Sequence, residues 1–256
     1  MKKMGNEQVE QNQKVQGIVL RSRDYKEADQ LFTIYTRELG KVTVLARGVK
    51  KTASKLRSGL LLFSQTQLEL VMGKSLPVVT GAATAEAFAL LRSDFSRMSY
   101  ASYAAELLDQ VIVEAQPDAE LFLLILQTLY LLERINPWLA VRHLEVRLLE
   151  QQGYGLQLGH CLSCGKPLRG ERYHGAVGGV FCAACGHDSP GGAVLTQEAL
   201  TTLKALDYIP LHRLGWVYVS QEGRRSLEQY LEVQLQQILS WPLKSRDFLR
   251  QMEGQF

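Results

Sequence analysis

The chain has 256 residues, of which 46% are hydrophobic and 21% are charged, a composition typical of soluble globular proteins with two or three modest domains. Its formal net charge of +3 conceals an asymmetry, because residues 1–80 hold 14 Lys and Arg against 7 Asp and Glu while the remainder is net acidic. Composition excludes a disulfide-dependent miniature fold, and the basic first third indicates a domain that meets a polyanion, or else a solvated basic face with no partner.

Residues 1–14 are polar and lack the apolar stretch of a signal peptide. We expect them to form a disordered tail. The longest apolar run, Leu121–Leu132, is interrupted by Gln127 and Thr128 and is too short to span a bilayer. These features predict a cytoplasmic protein with no membrane partner.

Residues 15–87 are expected to form about five short strands separated by turn signals. In the most regular of them Val42, Val44 and Ala46 point one way, while the alternate side chains from Lys41 to Arg47 point to water. The predicted strands are Gln16–Arg21, Leu31–Thr36, Lys41–Arg47, Gln67–Met72 and Val78–Glu86. Five strands of this length suit a small barrel, either an OB-fold or an SH3-like barrel.

From about residue 88 the hydrophobic period changes to three and four residues, which predicts amphipathic helices. The predicted helices cover about 100–112, 117–133, 137–152, 197–206 and 227–239. Thr196 and Ser226 are expected to be the N-caps of the last two, and the second helix, apolar nearly all round, is expected to be central. The predicted fold class is therefore α+β, with a barrel at 15–87 and a helical domain at 88–256 that carries an inserted cysteine module at about 158–190.

The four cysteines of the chain form a single pattern. Cys161 and Cys164 are separated by two residues, seventeen residues follow, and Cys182 and Cys185 repeat the two-residue gap. Two sulfurs on one tight turn can reach the same metal, and Gly165 and Gly186 directly after each pair supply the flexible backbone that such turns need. We predict one structural zinc ion held by four thiolates, with no coordination position open to water or substrate.

Three alternatives to a four-thiolate zinc site exist. Two disulfides would need an oxidising compartment, which nothing in the sequence indicates. One of the nearby histidines could replace a cysteine as ligand; they are His160, His174 and His187. A catalytic zinc of the deaminase type would need Pro-Cys-x-x-Cys, but Phe181 precedes Cys182.

Motifs for covalent or nucleotide chemistry are missing from the sequence. No nucleophile elbow, phosphate-binding loop or dinucleotide fingerprint is present. We therefore expect a protein that is not an enzyme.

The strongest binding signal is Lys41–Arg57, which contains six basic residues and no acid. Such a density of cations attracts phosphate backbones largely without sequence preference. Small residues such as Gly48, Ser54 and Gly59 make this connection flexible enough to follow an irregular strand. Arg21 and Arg23 would extend the basic track, and Tyr25 is the nearest ring for base stacking. The alternative is a loop that serves solubility alone.

Several segments together resemble the RecO family of bacterial DNA repair proteins. They are Gly17–Asp29, Thr36–Lys41, Ala46–Lys51, the helix Tyr100–Leu108 and Glu145–Tyr154. The cysteine pairs stand where the zinc-bearing members of that family have theirs, and the resemblance covers about residues 15–240.

The resemblance implies an N-terminal OB-fold, a helical body and a zinc module. It also implies a recombination mediator that binds single- and double-stranded DNA, anneals complementary strands and associates with the nucleoid when bound. With RecR, and usually RecF, such a protein would help RecA load onto DNA coated by single-strand binding protein. The acidic tail of that coating protein is expected on the helical body, where Arg134, Arg142 and Arg147 are candidates. A protein-binding adaptor without DNA affinity is the competing hypothesis.

The basic residues selected from the sequence fall in the part of the chain that resembles the family's OB domain. They are carried over as DNA contacts: Arg21, Arg23, Lys41, Arg47, Lys50, Lys51, Lys55 and Arg57.

Overall fold

In a computed structural model, which describes residues 12–72, 75–186 and 193–253, the N-terminal strands close into a five-stranded barrel. The strands are β1 (Asn12–Asp24), β2 (Gln30–Thr36), β3 (Gly40–Ala46), β4 (Gln65–Val71) and β5 (Val78–Glu86). Their order is β1-β2-β3-β5-β4, with β1 antiparallel to both β2 and β4 and with β3 meeting β5 in parallel. The predicted α+β class with an OB-like barrel is confirmed.

The barrel encloses one apolar core drawn from all five strands. Val19, Ile34, Val44, Leu70 and Val79 are among its buried members. The inward alternation along β3 holds at Val44 and Ala46, both fully buried, because successive side chains of a strand point to opposite faces.

The strand β1 begins earlier than the sequence predicts. Asn12–Lys14, assigned from the sequence to a disordered tail, are strand residues that pair with β4. Lys14 Nζ lies 3.1 Å from Glu69 Oε1 on that neighbouring strand. The rest of the predicted tail, residues 1–11, lies outside the described residues.

The prediction that Lys41 lies on a wet face of β3 is wrong. Lys41 is only 7% exposed, and its carbonyl oxygen accepts a hydrogen bond from Ala115 N at 3.0 Å. A Cβ at the adjacent Gly40 would lie 2.3 Å from the carbonyl oxygen of Gln116. Residues from a segment about seventy positions later therefore cover this end of β3.

Eight helices are assigned within the described residues. They are α1 (Ala89–Ser93), α2 (Phe95–Val111), α3 (Ala119–Arg134), α4 (Pro137–Gln151), α5 (Gln197–Tyr208), α6 (Leu211–Leu214), α7 (Gln221–Leu235) and α8 (Lys244–Glu253). In this helical body α4 packs against α2, α5 and α7 and is buried along almost its whole length. α4 is thus enclosed by the helices α2, α5 and α7.

The caps of α5 and α7 show one correct and one wrong prediction. Thr196 is the N-cap of α5, where its hydroxyl accepts from Ala199 N at 3.2 Å. The cap of α7 is Ser220 and not Ser226, because Ser220 Oγ accepts from Gly223 N at 3.1 Å. Ser226 lies inside the helix and is buried.

A small sheet between α4 and α5 carries the cysteines. It consists of β6 (Arg172–Ala176), β7 (Gly179–Cys182) and β8 (Val194–Thr196), in the order β7-β6-β8.

The sheet is joined to α7 by polar side chains. Gln234 Nε2 donates to Ala176 O at 2.7 Å, and Tyr230 Oη donates to Gly179 O at 3.2 Å. Ser226 Oγ donates to Val194 O at 2.9 Å. These hydrogen bonds fix the sheet to the helical body.

By internal contacts the chain divides into two compact units. The first takes the described residues up to Asp94 together with Ile112–Leu129, and the second takes Phe95–Val111 and the residues from Tyr130 onward. Residues 112–129, predicted within the helical domain, thus group with the barrel. None of the helices in the described ranges has the length and apolar character needed to cross a membrane.

Candidate functional site

The four cysteine sulfurs converge on one point. All four Sγ atoms lie within 4.8 Å of one another, and those of Cys164 and Cys182 are 3.9 Å apart. Tetrahedral coordination with metal–sulfur bonds of about 2.3 Å places sulfurs about 3.8 Å apart, so the geometry fits a metal ion. All four cysteines are free thiols, which does not support the disulfide alternative.

The first cysteine pair is positioned by a turn beside β7. Leu162 N donates to Val180 O at 3.0 Å, which aligns the turn with that strand. Gly165 N donates to Cys161 O at 3.0 Å and closes the turn. Gly165 has φ +67°, a left-handed conformation that favours glycine.

The second pair begins where β7 ends, since Cys182 is the last residue of that strand. Cys185 N and Gly186 N both donate to Cys182 O, at 3.1 and 3.0 Å. A Cβ at Gly186 would lie 2.2 Å from the His174 ring, so only glycine fits here. Each pair therefore sits on a hydrogen-bonded turn that aims both sulfurs the same way.

The histidine alternatives are not favoured by the geometry. The ligand group found among the described residues consists of the four cysteines alone and includes neither His160 nor His174. His187 lies outside the described residues. A zinc deaminase would also need a His-x-Glu sequence. One occurs on α4, at His143 and Glu145, but neither residue belongs to the cysteine group.

The thiols do not ionise alike. Burial raises the pKa of Cys161, but backbone N–H groups of Cys164, Cys182 and Ser163 outweigh that effect and lower it to about 6. The neighbouring sulfurs of Cys182 and Cys164 raise the pKa of Cys185 to about 12. Four adjacent thiolates repel one another, so a bound cation is needed for all four to lose their protons.

The predicted DNA contacts other than Lys41 are all exposed, and most lie at one end of the barrel. Arg23 on β1 pairs with Leu31, which pairs in turn with Leu45 on β3. The chain continues from β3 directly into Arg47. We call this group the strand-end cluster, and it consists of Arg21, Arg23, Arg47, Lys50 and Lys51.

Two loops that meet at this end hold the strand-end cluster in place. Lys50 N donates to Ala28 O at 3.1 Å, and Gly48 N donates to Asp29 Oδ1 at 2.8 Å. The connection after β3 is therefore tied to the loop between β1 and β2.

An acidic residue that the sequence reasoning missed lies within the cluster. Lys50 Nζ is 2.9 Å from Asp24 Oδ2, and the hydrogen bond from Lys50 lowers the pKa of Asp24, with a second one from Gln30. Lys41–Arg57 contains no acid in sequence, but folding supplies one from β1. Lys50 is therefore partly neutralised.

Lys55 and Arg57 lie further along the same connection, at a short 3-10 turn formed by Arg57–Gly59. The expectation of a flexible connection is wrong at this turn. Ser58 O accepts from Thr84 Oγ1 at 2.7 Å, and a Cβ at Gly59 would lie 2.4 Å from the carbonyl oxygen of Ala82. The turn is packed against β5, so the backbone that carries the Arg57 side chain is held in place.

Tyr25 is exposed in the loop between β1 and β2, beside the strand-end cluster. Lys26 Nζ lies 5.5 Å from the centre of its ring. The Tyr25 ring is therefore accessible to a ligand, with the Lys26 ammonium group close to it.

The three arginines considered for an acidic tail have different environments. Arg142 is buried, with Nη2 3.0 Å from Glu145 Oε1, so it cannot flank a surface groove. Arg147 pairs with Glu150 and with Asp207. Arg134 is exposed and stands over the Tyr130 ring at 5.8 Å.

Comparison with known proteins gives a consistent result along the chain. A family model described as "Recombination protein O N terminal" matches residues 11–88, and one described as "Recombination protein O C terminal" matches residues 92–247. The chain is 33% identical over 241 residues to the DNA repair protein RecO of Symbiobacterium thermophilum, covering 92% of this chain and 95% of the relative. It is 34% identical over 254 residues to that of Moorella thermoacetica, covering 93% and 91%.

If the cysteine group holds a metal ion, removal of that ion is expected to destabilise the unit that contains α4, α5 and α7. Cys161→Ser removes a buried ligand, and a loss of only about 3 kcal/mol would lower the midpoint of thermal unfolding by roughly 6–12 °C for a domain of this size. Calorimetry of the variant, and of the wild-type chain after chelation, measures the shift. Lys166→Ala, an exposed change on the same turn, is the control. An unchanged midpoint after complete removal of the metal would contradict the structural role.

Proposed function

The chain belongs to the RecO family of DNA repair proteins, and from this we propose that it is a non-enzymatic recombination mediator whose barrel binds single- and double-stranded DNA. The observation that carries the proposal is the strand-end cluster. Five exposed cations lie on neighbouring strand ends and loops of an OB-like barrel, and Asp24 pairs with one of them, Lys50. OB-folds are a recurrent architecture for oligonucleotide binding.

Binding would run through phosphates. Arginine and lysine contacts to the backbone carry no sequence information, so one surface would accept any strand. Release of condensed counterions would make the affinity fall steeply with salt. Tyr25 would add a stacking contact to one unpaired base.

Strand annealing follows from the same chemistry. Two DNA strands repel each other through their phosphates, and a cationic surface that contacts both lowers that repulsion. Contacts to the backbone alone leave the base edges free to pair. Because each contact is weak and salt-sensitive, the strands could shift until their sequences are in register.

We also propose that the protein acts with the partner proteins that the family resemblance implies. With RecR, and RecF, the protein would help RecA load onto DNA coated by single-strand binding protein. The acidic C-terminal tail of that coating protein would need an exposed cation near apolar surface on the helical body. Of the three arginines considered, Arg134 meets that requirement.

We further propose that the cysteine cluster holds one Zn²⁺. Four thiolates and tetrahedral spacing suit zinc, and a four-sulfur shell leaves no position for a reactive water. The ion would hold the two turns of the small sheet together. Metal analysis of the purified chain should give one zinc per molecule, and an open coordination position would instead revive a hydrolytic role.

Reversing charge on the basic connection is expected to weaken DNA binding for all sequences alike. Lys50→Glu, Lys51→Glu and Lys55→Glu together should lower affinity. For each phosphate that the variant no longer neutralises, the slope of log affinity against log salt should fall by about 0.9 on a duplex and about 0.7 on a single strand. Fluorescence anisotropy with single- and double-stranded oligonucleotides measures both quantities. Arg37→Glu is the matched control, because Arg37 is exposed just beyond the opposite end of β2. An unchanged affinity would favour the adaptor without DNA binding.

Breaking the ion pair of Lys50 is expected to act in the opposite direction. Asp24→Asn would free Lys50 for phosphate and raise affinity roughly two- to fivefold, the range in which exposed ion pairs contribute. Glu27→Gln removes the same charge from the adjoining loop without touching the pair. Titrations of both variants at several salt concentrations make the comparison. Equal effects of the two changes would show that only net charge matters.

A further inference from the structure

The helical unit displays three large aromatic side chains within one short segment. Tyr208 is 81% exposed, Trp216 is 80% exposed and Tyr218 is 85% exposed. A single exposed ring needs no explanation, but several within eleven residues mark a binding surface. We call Tyr208–Tyr218, which joins α5 to α7 through α6, the aromatic segment.

Buried residues flank the exposed stretch Trp216–Tyr218 of the aromatic segment. Leu214 before Trp216, and Val219 after Tyr218, are buried. Gly215 approaches the helical body so closely that an added Cβ would lie 3.1 Å from Ile135 Cγ2. The rings of Trp216 and Tyr218 therefore project from an anchored backbone, which reduces the entropy lost when a ligand binds.

Just beyond Val219 a polar anchor completes this attachment. Ser220 N donates to Glu198 Oε1 at 2.9 Å, and Ser220 Oγ donates to the other oxygen of the same carboxylate. Both carboxylate oxygens of Glu198 are thus directed to Ser220, so this acid is engaged within the fold.

The aromatic segment contains one arginine and no acid, and the two acids that flank the stretch 208–221 are paired with other residues. Asp207 Oδ1 lies 3.5 Å from Arg147 Nη1, and Glu222 Oε1 lies 3.6 Å from Arg172 Nη2. From Tyr208 to Gln221 the sequence contains no Asp or Glu, while His212 and Arg213 are exposed on α6. Trp216 N donates to Arg213 O at 3.0 Å, which keeps the arginine and the indole close in the chain. Aromatic rings next to an arginine are the combination of groups that binds bases and phosphates.

The apolar surface of the segment comes mainly from these rings. Leu211 and Val217 are half-buried and Leu214 is buried, so few aliphatic groups face water beside them. A surface built to dock another protein would offer a packed aliphatic and aromatic core. Isolated ring faces next to a cation instead favour flat, unpaired bases.

We propose that the aromatic segment is a second binding site for single-stranded nucleic acid, with Trp216 and Tyr218 stacking on unpaired bases and Arg213 contacting phosphate. The inference rests on the DNA-binding function proposed above and adds to it a preference for single strands over duplexes. Bases inside a duplex are already stacked on their neighbours, so this site would bind single strands and leave duplexes to phosphate contacts alone.

The test compares ligands that differ in their bases. Trp216→Ala with Tyr218→Ala in the full chain should lower affinity for an oligo-dT strand about tenfold or more. Affinity for a duplex, and for an abasic strand of equal length, should stay unchanged. The salt dependence on oligo-dT should stay unchanged too, because no phosphate contact is removed. Trp241→Ala is the control, since Trp241 is 61% exposed outside the segment.

Two further variants separate stacking from folding. Trp216→Phe with Tyr218→Phe keeps both rings and should retain most of the affinity. Trp216→Leu with Tyr218→Leu keeps apolar bulk, loses the rings and should behave like the alanine pair. Equal affinity of the leucine and phenylalanine pairs for oligo-dT would overturn the stacking role, even if the alanine pair is unstable.

The remaining outcomes distinguish this inference from the proposed function. Unchanged oligo-dT affinity in the alanine pair, while charge reversal at Lys50, Lys51 and Lys55 still weakens binding, would overturn the second site alone. A wild-type chain that binds no DNA would overturn both. Unchanged DNA affinity with a change of oligomeric state in sedimentation would assign the rings to contact between copies of this chain.

Discussion

Closure of the barrel depends on one long strand. β1 pairs with β4 along Asn12–Ile18 and with β2 along Gly17–Asp24, and its register shifts between Val19 and Arg21. On the core side of this bulge Ile18 and Val19 are fully buried. Beyond it Arg21 and Arg23 are exposed. A bulge bends a strand and re-aims its side chains, so the feature that closes the core also sets where the cations emerge.

The parts of this fold that sequence reasoning predicts depend on local patterns. β-forming residues and turn signals indicate five strands, and for Val78–Glu86 the predicted and observed bounds coincide. Thr196 is recognisable as an N-cap because its hydroxyl reaches an amide three residues on. The cysteine pairs are recognisable because each turn is only a few residues long. All the residues that form a signal of this kind lie within about ten positions of one another in the sequence.

The parts that sequence reasoning missed depend on contacts between distant segments. Lys41 is covered by residues near Ala115, and Lys50, in the connection after β3, is paired with Asp24 at the end of β1. Gly59 is fixed because β5 passes within van der Waals distance. The helix α7 begins at Gln221, earlier than predicted, and includes Gly223, where a Cβ would lie 2.3 Å from Glu198 Oε2. Counting charges or glycines along the chain cannot detect such pairings.

The four-cysteine motif and the residues proposed to bind DNA lie in different parts of the chain and in different environments. The cysteines join a three-stranded sheet of very short strands, and Tyr230 and Gln234 bind that sheet to α7. The groups proposed to touch DNA are exposed, as they must be if a phosphate or a base is to replace the water around them. Their substitution should therefore change binding more than folding, whereas loss of the cysteines should do the reverse. In this chain the most recognisable sequence motif, the four cysteines, thus serves to stabilise the fold. The proposed ligand contacts are recognised instead by their exposure and charge.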